Sequence, residues 1–447
     1  MAQLTSLVFV TTAALTLGMG VAHAQTSPTA AAFDFKGKAL VGVSDADMVA
    51  SAYVDGKLGP RDGSDALFLI PLGGHPRSLK AMELPATNSV AGPPAAVAVT
   101  PDGRLAFMVE TFGPRPATGP DASHTFKDLP VGSRLTVFDI GNPAAPKQIQ
   151  ALDLPKRPTS VSVNAGGTQI AVTFHPQGGG AETPLALIPI ANGRLGAPIY
   201  PQLPGWTKGN HLMNAEWHPS RDILAVADAT AEQVRFYQVS GEKLNAWGNV
   251  VGAEKETYML RFSPDGRHLI ANALFWGPDV EGQWNEAPRG SVYVIRLEAG
   301  KMADGSVRHA LVSRAMTGVS PEGLAVSPDG KWVVTTNLER SYLPWDDKRL
   351  TPYASLSLFA LDAATGQLTH KGDYAYDGIL PEAAAFDASS TALAVVTYDH
   401  FDEAKKGGSV DFWRLTGDPL DPNSVVLVKS DHSVPVTRGA HSMVLMK

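Results

Sequence analysis

Glu322 and Glu382 each follow a proline, Pro321 and Pro381, and stand 60 residues apart in stretches that resemble one another. Two carboxylates sharing a site suit proton transfer, because like charges force one acid to keep its proton while the other ionises. At neighbouring positions of the same pattern stand His211, Asn214, Glu216, Glu256, Tyr258 and His441, and Arg157, Arg261 and Arg438 supply fixed positive charge. Such a set can move a proton, direct a water or neutralise a developing anion. It is equally the set expected of a wet channel that only binds water, or of ion pairs inside the fold. Glu322, Glu382, Asn214 and His441 also form an oxygen and imidazole set that a divalent ion such as Ca²⁺ accepts; no other cofactor is expected.

Several chemistries are excluded. The chain has no Gly-x-Ser-x-Gly, no His-Glu-x-x-His, no EF-hand loop and no phosphate-cradling Gly-rich loop with Lys-Ser or Lys-Thr. It contains no cysteine, which removes thiol catalysis, Cys-ligated clusters and disulfides. A formal charge of -7 over 447 residues leaves no basic footprint for nucleic acid. Gly 43 and Pro 34, with 44% hydrophobic residues, describe a turn-rich globular chain of many short strands.

The elements that position these residues are written as a repeat. Its clearest copies are Leu324-Ala-Val-Ser-Pro-Asp-Gly-Lys-Trp-Val-Val, Leu260-Arg-Phe-Ser-Pro-Asp-Gly-Arg-His-Leu-Ile and Val97-Ala-Val-Thr-Pro-Asp-Gly-Arg-Leu-Ala-Phe. Proline presets the first turn angle, aspartate bonds the backbone locally and glycine accepts positive φ, so each copy spells strand, tight turn, strand. Weaker copies start at Leu40, Val161, Ala215 and Ala384, making seven, with Asp45 in the turn position of the first. Alternating segments such as Leu135-Thr-Val-Phe-Asp-Ile and Val292-Tyr-Val-Ile-Arg-Leu supply third strands, and a less apolar fourth leads to the next copy. The expected fold is all-β: a seven-bladed β-propeller of four-stranded antiparallel blades over 37–447. Stacked β-sandwiches are the rival, but they do not repeat one hairpin spelling. Ala440-His-Ser-Met-Val-Leu-Met446 stands alone as an innermost strand and closes the ring with the N-terminal strand, either replacing or accompanying 40–43 in the first blade.

In such a ring the residues leading into each innermost strand share a face with the loops joining second to third strands. Those loops are long at 111–133, 175–183, 275–289, 339–354 and 398–408, and they carry Trp276, Trp284, Tyr342, Trp345 and Tyr398. Aromatic walls over a polar floor make a ligand pocket, or the aromatics merely pin their own loops. The candidate catalytic residues are therefore His441, Glu322, Glu382, Arg438 and His211. The candidate substrate contacts are Asn214, Tyr258, Arg157, Arg261, Trp276 and Tyr342.

The Pro321-Glu-Gly-Leu-Ala-Val-Ser-Pro-Asp-Gly330 stretch and its recurrences resemble the lactonase-like and YVTN-repeat seven-bladed propellers across essentially the whole mature chain. That resemblance implies opening or closing of a lactone on a small carboxylated substrate. The arginines would neutralise carboxylate or enolate charge, and His441, His211, Glu322 or Glu382 would move the proton. The Gly-Pro-Arg-His run of the lactonases is replaced here by Lys156-Arg-Pro158, Gly209-Asn-His211 and Thr437-Arg-Gly-Ala-His441. Two other functions stay open: a propeller that binds a ligand or partner protein without turnover, and the large subunit of a dehydrogenase whose cofactor sits on the partner.

Residues 7–21 form an apolar run ending in Ala22-His-Ala24, a small-x-small cleavage pattern, although no Lys or Arg precedes it. The expectation is a signal peptide over 1–24, a short segment over 25–36 and a periplasmic or secreted propeller. No membrane span is expected after cleavage, and the partners would be a small molecule or a periplasmic protein.

Overall fold

The computed structural model describes residues 34–447 except 74–75, 118–123, 403, 419–420 and 422. The expected signal peptide over 1–24 lies outside the described residues. Among these, no helix is long and apolar enough to cross a membrane.

Seven antiparallel sheets form the blades of a ring. Blades 2 to 7 begin with the innermost strands Val97–Val99, Pro158–Val163, Leu212–Trp217, Thr257–Phe262, Pro321–Val326 and Ala384–Phe386. In blade 1 the C-terminal strand Ala440–Met446 is innermost, followed outward by Ala39–Ser44, Ala66–Pro71 and Met82–Pro85. The C-terminal strand therefore accompanies 40–43 and lies inside it. This corrects the first repeat copy: Ala39–Ser44 is a second strand, and Asp45 opens a long loop instead of a hairpin turn. The missing hairpin is where the chain is cut, and Lys38 N donates to Met446 O at 2.9 Å across the gap.

The repeat spelling has a direct physical basis. Thr100, Ser263 and Ser327 donate their hydroxyls to Asp102, Asp265 and Asp329 at 2.5, 2.7 and 2.6 Å. The same aspartates accept the backbone N–H of Arg104, Arg267 and Lys331, and Gly103, Gly266 and Gly330 take φ near +70°. In the weaker copies Asn164, His218 and Asp387 take over the acceptor role, each receiving two backbone N–H groups of its turn. The fourth strand is the least regular. It shrinks to Arg194–Leu195 in blade 3 and splits into Lys243–Ala246 and Val251–Gly252 in blade 4.

Apolar side chains fill the wedges between blades. Phe107, Val137, Val172 and Ile188 are fully buried in one cluster spanning blades 1 to 3. Phe412 is buried on the other side of the closure and meets Phe35 edge-on at 5.3 Å. Each such side chain is worth about 1.5–3 kcal/mol of burial, which lets packing alone hold the ring.

Candidate functional site

Two local features aim side chains at the mouth of the ring. First, the residue leading into the innermost strand is left-handed in several blades: Arg157 at φ 58°, Glu256 at 51°, Ser320 at 51° and Leu380 at 46°, with Gly439 at 85° in blade 1. Side chains rarely accept this conformation, and it turns the chain sharply from the rim toward the axis. Second, the pairing of innermost and second strands skips a residue just after that turn. The skipped residues include Thr159, Met213, Tyr258, Glu322 and His441. A bulge leaves such a residue out of the ladder and re-aims its side chain. Its position could have been read from the repeat alignment, but the bulge itself leaves no spelling.

These devices converge on a cavity of about 260 Å³. It is lined by Glu322, Tyr258 and Met213, by Arg157, His175 and His211, by Trp276 and Tyr53, and by a second carboxylate, Glu256, which burial holds above its ordinary value. Tyr258 donates its hydroxyl to Glu322 Oε1 at 2.8 Å. Burial, which favours the protonated acid, pushes Glu322 up to about 8 against the opposing pull of that bond. The rings of His175 and His211 meet edge-on at 4.5 Å. Burial, and then the Arg157 charge, hold His211 down to about 4; burial, the His211 ring and Arg157 hold His175 down to about 3. Both imidazoles are therefore neutral bases, and His211 Nε2 has no hydrogen-bond partner. Arg157 lies over the Phe112 ring at 4.8 Å and donates to Gln177 Oε1 at 3.1 Å. It has no carboxylate partner among the described residues.

A cap closes the mouth. The loop after Ala39–Ser44 carries the short helix Ala52–Asp55, and Tyr53 from it donates to Val90 O at 3.1 Å and meets Trp276 edge-on at 5.3 Å. Buried Arg115 ties the cap down by donating to Asp47 O at 2.6 Å and Gly59 O at 2.8 Å. Tyr53 falls in the stretch misread as a hairpin strand, and His175 in a loop named only by its length. Sequence reasoning missed both.

The other candidates lie elsewhere. Glu382 is buried with Oε2 unpartnered, and burial, then the charges of Glu322 and Asp45, hold it well above the usual carboxylate range. Arg438 does not join the two glutamates: its Nη2 donates to Pro60 O at 2.6 Å and Ala46 O at 3.3 Å, because the cap loop offers it bare carbonyls first. Arg261 pairs with Glu216 at 3.3 Å, and Asn214 Oδ1 accepts Leu260 N at 3.1 Å. Tyr342 is buried and stacked on Trp276 at 4.8 Å, so it supports the wall from behind. His441 Nε2 bonds Asn88 Oδ1 at 2.7 Å; Asn88 spends its amide N–H groups on Ser44 O and Ala86 O, so His441 must be the donor.

For a metal, the carboxylates of Asp45, Asp47 and Asp65 lie within 4.8 Å of one another, whereas Glu322, Glu382 and His441 form no such group. Burial, then the neighbouring aspartates, pushes Asp45 up to about 7 and Asp65 up to about 9.

A closed seven-bladed ring with a cavity at its mouth, lined by apolar side chains and a few converging polar ones, defines the class of protein. The chain shares this fold with lactonase-like propellers. It is similar to the periplasmic gluconolactonase of Pseudomonas aeruginosa at 18% identity and TM-score 0.57, covering 91% of this chain and 99% of that one. A 6-phosphogluconolactonase candidate from Bacteroides uniformis gives 14% and 0.55, with 91% and 99% covered. A hypothetical selenium-binding protein from Sulfolobus tokodaii gives 10% and 0.55, with 92% and 94% covered. Neighbours of such different description share an architecture, and function has to be argued from the site. No protein-family model matches the sequence. No curated protein matches it either.

Proposed function

We propose that the protein is a periplasmic lactonase-like hydrolase that opens a small lactone bearing an anionic group in the cavity at the ring's mouth. The observation that carries this reading is the meeting there of the buried Glu322 carboxyl bonded to Tyr258, the His175 and His211 imidazoles, and Arg157, which has no ion pair among the described residues; burial raises the carboxyl and lowers the imidazoles. Water attacks the lactone carbonyl carbon as His211 takes its proton. The ring C–O bond breaks, and the departing alkoxide takes the proton of Glu322. Tyr258 occupies Oε1, so that proton sits on Oε2. Arg157 holds the substrate's anionic group or the developing oxyanion. Tyr53 and Trp276 exclude bulk water from the bound ring. The periplasmic address rests on the apolar run and Ala22-His-Ala24, and an intact mass starting at Gln25 is the result that would support it.

The test is acid release at constant pH from a panel of sugar-acid and carboxylated lactones, with and without chelator. Turnover lost in both Glu322→Gln and Arg157→Ala, and unaffected by chelator, supports the reading. Turnover abolished by chelator assigns the chemistry to a metal instead. No turnover, with melting raised by a lactone or its acid, makes the protein a binding propeller.

A further inference from the structure

A second concavity of about 760 Å³ lies away from the mouth, where the outer strands of blades 5 and 6, Val307–Val319 and Leu368–Tyr376, run side by side beneath the 282–289 and 339–353 loops. Two of its cations are committed: Arg289 to Asp373 at 2.8 Å and Arg349 to Asp347 at 2.5 Å. A third, Lys371, donates to Asn423 Oδ1 at 2.8 Å. Lys348 and Arg340 line the groove without an ion pair among the described residues, in a lining that also holds Glu286, Glu339 and Asp373, and Arg340, which feels the Asp347 charge, is only 5% exposed, with Nη2 buried and bonded to nothing. Folded proteins seldom leave a buried guanidinium donor unpaired, and one kept at a groove wall calls for an acceptor that arrives with a ligand.

The rim supplies the second half of the site. Trp284 is 73% exposed, and Arg349 braces one face of its ring at 5.0 Å. Arg349 is itself held by Asp347 and by the backbone oxygen of Glu281. No other ring contact involves Trp284 among the described residues, and Tyr353 lines the same groove, 37% exposed. An aromatic plate held rigid in water beside unpaired cations matches a flat-faced, hydroxylated, anionic ligand: the C–H face of a pyranose on the indole, its carboxylate on guanidinium and ammonium. We infer that this groove binds an acidic saccharide made of uronic acid residues, with Trp284 as platform and Arg340 with Lys348 as the carboxylate clamp. The groove has nearly three times the volume of the mouth cavity, which favours an oligomer over a single sugar. The inference is independent of any turnover at the mouth.

Calorimetric titration of the whole protein with trigalacturonate, in low salt, tests it. Saturable one-to-one binding is expected, weakened at least tenfold by Trp284→Ala and by Lys348→Met at unchanged melting temperature, and at least tenfold for the trimer's methyl ester. Arg340→Met should do the same; if it folds poorly, the two exposed variants decide. No binding by the parent overturns the inference, as does full binding by Trp284→Ala and Lys348→Met. Displacement by an equal concentration of inorganic phosphate also overturns it, reducing the groove to a general anion patch. Glu322→Gln must retain binding, since its loss would place the saccharide in the mouth.

Discussion

The Tyr258 hydroxyl donates a 2.8 Å hydrogen bond to Glu322 Oε1, and the two residues hold the same repeat position in neighbouring blades. The bond favours the ionised carboxylate, while burial, the larger effect, favours the acid. Tyr258→Phe removes the first and keeps most of the second. Glu322 should then hold its proton to still higher pH, and the alkaline limit of activity should move upward by about one to two pH units, since a hydrogen bond to a charged group is worth about 1.5–3 kcal/mol. A pH–rate profile on an active lactone reads this directly. An unmoved alkaline limb would remove Glu322 from the proton inventory.

The same acid sets a stability trend. Between its ordinary value and about 8, Glu322 keeps a proton in the folded protein that the unfolded chain has released. Folding then binds more protons than unfolding, so stability falls as pH rises through this window. Glu322→Gln has no such proton to lose. Its stability relative to the parent should grow by at least about 1.4 kcal/mol from pH 5 to pH 8 in urea titrations, one pH unit's worth. His211 and His441, held down to about 4 and about 3, act oppositely. The unfolded chain takes up their protons below about pH 6.5, so both proteins should lose stability together in acid. A stability gap that does not change with pH would mean that Glu322 is ionised in the folded state.

Much of the ring was written in the chain. The Ser-Pro-Asp-Gly turns encode their own hydrogen bonds, and Ala440–Met446 stood out as an unpaired inner strand. Asp45 was misplaced because its aspartate-rich stretch mimics a turn; nothing local says that the true hairpin of blade 1 is divided between the two chain ends. The site was legible to the extent that it follows the repeat. Arg157, His211, Tyr258, Trp276 and Glu322 do meet in one cavity. Arg438 fails because backbone carbonyls of a distant loop compete for it, a contact between residues some 380 positions apart that no spacing announces.

Closure makes truncation severe. Ala440–Met446 pairs with Ala39–Ser44 along its length, and Ala440, Met443 and Met446 are buried between blades. Removing 440–447 opens the axial edge of a fully buried strand and strips one wall from two inter-blade wedges. The truncated protein should aggregate or lose its cooperative thermal transition, as judged by calorimetry and light scattering. A transition matching that of the parent would show that the ring does not depend on the strand.

Gly439 and Arg438 should prove structural. A Cβ on Gly439 would fall 1.9 Å from Asp45 O, at a φ of 85°. Gly439→Ala therefore meets both backbone strain and a collision with main chain that cannot swing aside, and should cost well over about 1 kcal/mol. Gly193, also left-handed but with open space around it, is the control and should cost less. Arg438→Ala frees Pro60 O and Ala46 O and should lower the melting temperature with little change in catalytic constants. Loss of turnover at full stability would return Arg438 to the chemistry.

Arg157 separates function from folding most cleanly. It is held at φ 58°, a conformation that costs a side chain of order 1–3 kcal/mol, while glycine adopts it freely. Glycine in turn loses about 0.5–1 kcal/mol more backbone entropy on folding, so the backbone exchange is neutral to favourable, and the lost stacking on Phe112 offsets part of any gain. Arg157→Gly should melt within a few degrees of the parent or slightly above it. The cavity, however, loses the one guanidinium that faces both histidines, so turnover or binding of an anionic lactone should drop at least tenfold while a neutral lactone of the same ring size is affected less. Removing the positive charge should also let His211 titrate closer to its ordinary value, visible as an upward move of its imidazole resonance titration. If Arg157→Gly is strongly destabilised, or treats charged and neutral lactones alike, the left-handed arginine serves the turn and not the ligand.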